Sequence, residues 1–186
     1  MVGTEKHVSD MTSRGLPKRA RIVVIGGGVV GASVAYHLAA LGETDVILVE
    51  KASLTAGSTW HAAGLVGAIR ATKTLTRIAS RSRRLYRAME ATAGMECGNV
   101  ECGGLWVART TNRLESFRDS TRIADSAGVQ AHIVDARQAS DMWPLLDPNR
   151  IVGAMWAPDE GRVSPADLTG RLAGRARKLG VTIHEG

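Results

Sequence analysis

The sequence predicts an α/β fold organised on a parallel sheet, and three observations carry that expectation. A β-branched run at Ile22 to Ile25 has no polar alternation, as in a parallel strand buried on both faces. It opens into a glycine turn in which Gly26, Gly28 and Gly31 form G-x-G-x-x-G, followed by an apolar helical stretch from Val29 to Leu41. A second apolar strand, Val46 to Val49, comes next and ends at an acid, Glu50.

Each part of this unit has a physical task. The first glycine allows a tight turn, the second lets backbone approach a pyrophosphate, and the third lets the helix pack closely on the strand. The helix N-terminus at Val29 and Val30 points its amides and dipole at such a phosphate, and Gly42 supplies the C′ stop. Glu50, with Lys51 beside it, stands where a carboxylate accepts from a ribose hydroxyl. An acid there, rather than an Arg, disfavours a 2′-phosphate and favours FAD or NAD over NADP. The glycine pattern alone is weak, but the strand before it, the helix after it and the acid at the right distance supply its context. The expected unit is therefore a Rossmann-like, dinucleotide-binding βαβ.

Lys51 to Ala68 is a run of Gly, Ala, Ser and Thr with one Trp and one His, and it lacks helical or strand periodicity. Small residues over such a length let backbone lie against a flat ligand. His61 is its one titratable group besides Lys51. Thr74 to Ala93 reads as an amphipathic helix stopped near Gly94, with Leu75, Ile78, Leu85 and Met89 as its buried face. The arginines between Arg77 and Arg87 then form a solvated face. Gly103 to Ala108 reads as a turn into a strand. A helix follows over Asn112 to Ala127, with Leu114, Phe117 and Ala124 on one face, and then a strand at Val129 to Val134. Asp135 caps a short helix that Pro144 ends, and Ile151 to Trp156 is a strand closed by Pro158. Trp106, Trp143 and Trp156 are read as packing residues before pocket residues. Asp159 and Glu160 are neighbours in a turn and point apart, so they are not read as an acid/base pair. Ser164-Pro165-Ala166-Asp167 combines a Ser cap, Pro at N1 and an acid at N3, which starts a helix running to about Leu179. Gly180 stops it, and Val181 to His184 begins another strand.

The segment LTAGSTWHAAGL, Leu54 to Leu65, resembles the flavin-attachment segment of the dimethylglycine and sarcosine dehydrogenase group, within the D-amino-acid-oxidase-like FAD-dependent oxidoreductases. GRVSPADLTGRLAGRARKLGVTI resembles the same superfamily where its chain returns from the substrate domain to the FAD sheet. The resemblance implies FAD bonded covalently through His61, with Gly57, Ser58, Thr59, Ala62 and Leu65 lining it. It implies oxidation of an N-methyl amino acid by hydride transfer to flavin, with an electron-transfer flavoprotein or oxygen as the electron acceptor and tetrahydrofolate as a candidate one-carbon acceptor. The implied order is a leader at 1–20, the first part of the FAD-binding domain at 21–93, part of an inserted α+β substrate domain at 94–158, and a return to the FAD domain at 159–186. On this reading the chain is the N-terminal part of a larger enzyme, incomplete at its C-terminus. The family's substrate-side residues lie beyond Gly186, and no catalytic residue is carried over. A non-catalytic relative that keeps the fold as a regulatory or binding module is the second reading. An NAD-dependent dehydrogenase sharing only the βαβ unit is the third, and nothing in nicotinamide binding calls for the TAGSTWHAAG segment.

Composition narrows the classes. With 44% hydrophobic and 23% charged residues, the chain of 186 residues has the balance of a globular protein with a real core. A net charge of +6 raises a nucleic-acid reading, which 4 Trp, 2 Tyr and 1 Phe scattered along the chain do not support. No apolar run approaches a membrane span, and residues 1–20 lack the apolar core of a secretory signal, so a cytoplasmic location is expected. Cys97 and Cys102 fit neither a zinc ribbon nor C-x-x-C chemistry and are read as two reduced structural thiols, with no metal.

Overall fold

A computed structural model describes residues 16–186; most of the expected leader lies outside them. In chain order the elements are β1 (Ile22–Ile25), α1 (Val29–Ala40), β2 (Val46–Glu50), β3 (Leu65–Val66), α2 (Lys73–Glu90), β4 (Gly104–Ala108) and α3 (Thr111–Ser126). They continue with β5 (His132–Val134), α4 (Ala136–Met142), a 3₁₀ turn (Pro148–Arg150), β6 (Gly153–Ala157), β7 (Gly161–Arg162), α5 (Pro165–Lys178) and β8 (Thr182–Glu185). They fall into two compact units, one running to Ser58 and resuming at Leu172, the other spanning Thr59 to Arg171.

The first unit is a parallel sheet in the order β1-β2-β8. Ile22 pairs with Val46 and Ile25 with Val49, while Ile47 to Glu50 pair with Thr182 to Glu185. Ala35 and Ala39 of α1 and Ala176 of α5 pack on Val46, Leu48 and Val181, joined by Ile22, Val24 and Ile183. Alanine at these contacts lets both helix backbones come close to the sheet. Leu48, fully buried at the centre, contributes roughly 1.5–3 kcal/mol by leaving water. The first strand departs from expectation: Val23 is 53% and Ile25 85% exposed. Among the described residues β1 is an edge strand whose helix-covered face carries Ile22 and Val24, so only that face is buried.

The second unit holds an antiparallel sheet, β4-β6-β5, and a two-stranded ladder, β3-β7. Its core gathers Ala108, Phe117, Ala124, Val129, Met155 and Ala157 with Ala68 and Ile69. The apolar face of α3 is thus the expected one, with Leu114 packed beside it. Asp135 caps α4 through a reciprocal capping box with Gln138.

The helix α2 is rotated from its expected setting. Leu75 and Ile78 are half or more exposed, and the buried positions are Thr76, Ser80, Arg83 and Met89. Polar groups are buried because their partners are backbone. The Thr76 hydroxyl accepts from Arg70 N at 3.1 Å and donates to Arg70 O at 3.3 Å, and Arg83 donates to the Asp159 carbonyl and carboxylate. Arg83 therefore does not belong to the solvated face, unlike Arg77, Arg81, Arg84 and Arg87. Of the tryptophans, Trp156 packs beside Val134, Ala139 and Ala154, whereas Trp143 is exposed. Both cysteines are free, but only Cys97 is buried; Cys102 lies at the surface and packs into no core. Among the described residues no helix is long and apolar enough to cross a membrane, and no cluster of His, Cys, Asp or Glu is arranged to hold a metal.

Candidate functional site

In the first unit the glycine turn is built as G-x-G-x-x-G requires. Gly26 takes φ +104°, a left-handed conformation that leaves the strand directly for the helix. A Cβ at Gly31 would overlap the Gly26 carbonyl oxygen, so the third glycine is what lets α1 begin this close to the turn. Gly27, not singled out in the sequence, is equally constrained: its Cβ would meet Leu54 Cδ2 at 2.7 Å and Glu50 Cβ at 2.9 Å. The run of three glycines was the available signal. Gly28 is the N-cap of α1 and provides no side-chain cap, and the first turn, from Val29 and Val30, carries no acid. The positive end of that helix dipole therefore faces no carboxylate of its own first turn.

Glu50 closes over this turn. Its Oε2 accepts from Gly27 N at 2.7 Å and its Oε1 from Ala52 N at 3.0 Å. These bonds, that from Gly27 foremost, hold its carboxyl below the usual carboxylate range. Each oxygen has a second lone pair, so the carboxylate can still accept from a hydroxyl. Lys51 beside it is exposed.

The small-residue run then folds as successive turns. Leu54 N donates to Glu185 Oε2 at 2.9 Å, and Thr55, at φ +71°, donates to Gly27 O at 3.0 Å. The start of the run is thereby tied to the glycine turn, with Gly57 and Ser58 exposed just after it. From Thr59 the run belongs to the second unit. Thr59 is buried and its carbonyl accepts from Ala62 N at 3.2 Å, which brings Trp60 and His61 to the tip of a turn with both side chains exposed. Ala62 and Leu65 are exposed as well, and beyond them Leu65 pairs with Arg162 and Val66 with Gly161.

A family model for FAD-dependent oxidoreductases, DAO, matches residues 21–186. The chain belongs to this family. Among curated relatives it is 39% identical over 170 residues to 4-methylaminobutanoate oxidase (formaldehyde-forming) of Paenarthrobacter nicotinovorans, covering 91% of this chain and 21% of that protein. It is 38% identical over 165 residues to the mitochondrial dimethylglycine dehydrogenase of Rattus norvegicus, covering 89% and 19%. The crystal structure of L-proline dehydrogenase from P. horikoshii superposes with a TM-score of 0.86 at 28% identity, over 91% of this chain and 45% of that one. The chain thus spans about a fifth of the length of these curated relatives.

As a DAO-family chain, its first unit fits FAD on its own geometry. The glycine turn, the acid-free first turn of α1 and the carboxylate at the end of β2 are compatible with a pyrophosphate and a ribose. Glu160 is the residue that sequence reasoning undervalued. It is buried and turned inward, while its neighbour Asp159 turns to Arg83.

Proposed function

We propose that this chain is the N-terminal, cofactor-binding part of an FAD-dependent oxidoreductase that oxidises an N-methyl amino acid. Residues 21–93 and 159–186 would belong to its FAD-binding domain and 94–158 to its substrate domain. The observation that carries the reading is the TWHAAG segment, whose His61 stands exposed at a turn tip just before β3. A relative at 39% identity that is named for 4-methylaminobutanoate and for forming formaldehyde supports the N-methyl group as the site of oxidation.

In this reading the Gly26–Gly31 turn and the amides at the start of α1 bind the pyrophosphate, and Glu50 accepts from the ribose. Gly57, Ser58, Thr59, Ala62 and Leu65 line the cofactor with small or apolar surface, and His61 is its covalent anchor through an imidazole nitrogen. When bound, FAD supplies the hydride acceptor. The contribution of these residues is to hold it in one place and to keep competing side chains out of the turn.

The test is flavin fluorescence in an acid-soaked denaturing gel, run on this chain and on a C-terminally extended protein. A fluorescent band that vanishes in His61→Ala, with non-covalent FAD retained, is the expected result. Covalent flavin that persists in His61→Ala assigns the anchor to another residue. Turnover of N-methylated substrates by the extended protein separates an enzyme from a non-catalytic relative that keeps the flavin.

A further inference from the structure

Glu160 sits between β6 and β7 with 4% of its surface exposed. Its Oε1 accepts from Ala68 N at 2.9 Å and, at longer range, from Ile69 N at 3.4 Å. Its Oε2 accepts from the indole Nε1–H of Trp106, in β4, at 3.0 Å. Two glycines make the space: a Cβ on Gly67 would lie 3.1 Å from Oε1 and one on Gly104 2.5 Å from Oε2. Among the described residues no cation forms an ion pair with this carboxylate, since the nearby Arg83 directs its hydrogen bonds to Asp159. Burying a carboxylate this way is costly unless N–H donors satisfy it, and here they converge from both sides.

The position of those donors gives the arrangement its meaning. Ala68 and Ile69 lie on the chain leaving the His61 turn. That chain is latched to β7 at Leu65 and Val66, and Gly64 O accepts from Val163 N at 2.9 Å. Glu160 immediately precedes β7 and holds the next stretch, so one short segment, 160–163, fixes the path of 64–69 throughout.

We infer that Glu160 is a positioning residue: its carboxylate sets the course of Gly64 to Ile69, ties it to Trp106 and thereby fixes how the His61 turn is presented. The link to the cofactor rests on the reading of His61 as the anchor. An amide cannot substitute, because both oxygens face N–H donors and the NH₂ of Gln must oppose one of them. Removing the indole donor relieves that conflict, since the space left by a smaller phenyl at the half-exposed Trp106 admits water to the amide.

The experiment compares wild type, Glu160→Gln, Trp106→Phe and the double variant. It reads backbone hydrogen exchange over 61–69 in flavin-free protein and covalent flavin yield by gel fluorescence. Glu160→Gln is expected to speed exchange at 64–69 by about tenfold and to lower flavin yield, while α3 keeps its protection. Trp106→Phe alone changes little, and the double variant recovers most of the lost protection. Unchanged exchange in Glu160→Gln overturns the assignment. A loss that the double variant fails to recover also overturns it, by making Glu160 a packing residue. A C-terminally extended wild type without covalent flavin refutes the His61 reading instead, and the exchange comparison still decides the role of Glu160.

Discussion

Cys97 is fully buried, and its thiol is pushed up to about 11, by burial first and then by the Glu90 carboxylate beside it. That carboxylate is held low in turn by accepting from Asn99 N and Cys97 N. Cys102, a few residues on, is exposed. Thiolate is the reactive form, so a maleimide at pH 8 is expected to modify Cys102 in the native protein and Cys97 only after unfolding, as peptide mass spectrometry would show. The linkage has a definite sign. A folded-state value above the unfolded one means the native state holds the thiol proton more tightly, so this stabilisation is complete below about 9 and declines as pH rises toward about 11. Chemical denaturation at pH 8 and pH 10.5 should show a decline that Cys97→Ala reduces.

The elements differ in how much of them the sequence disclosed. β1, α1, β2 and α5 carry local signals, namely β-branched runs, caps and glycine stops, and their boundaries lie within a residue or so of expectation. The turn and its acid were legible for the same reason, because G-x-G-x-x-G and Glu50 are read from their spacing together with the strands and helix that flank them. The setting of α2 was not legible. Its buried side is chosen by backbone groups at Arg70 and Asp159, which no periodicity within the helix reveals. The role of Glu160 was hidden likewise, since its donors come from about 90 residues upstream and from β4. The ladder β3-β7 has only two residues a side, too few to mark a pattern. At the junction of β1 and α1, Gly31→Ala is expected to cost about 1–3 kcal/mol, because the clash is with backbone, which cannot rotate away. Thermal unfolding measures that cost, and titration with FAD should show weakened binding alongside it.

At the scale of the whole molecule, the first unit presents apolar side chains from β1 and α1 to solvent: Val23, Ile25 and Val30 are each more than half exposed. On an edge strand such residues favour pairing with another chain. Ile25→Thr is therefore expected to leave the thermal midpoint nearly unchanged and to reduce concentration-dependent light scattering of this 186-residue polypeptide. Equal scattering in both proteins would clear β1 of that role.

The return of the chain to its first sheet also orders events in time. Leu54 and its partner Glu185 are 131 residues apart in sequence, and β8 pairs directly with β2. At a synthesis rate of about 5–20 residues per second, roughly 7–26 s separate the emergence of one from the other. The contiguous second unit can complete its contacts within that interval, whereas the sheet under the glycine turn cannot. On this ordering the β3-β7 ladder next to the His61 turn can form before β8 joins β2 in the first sheet.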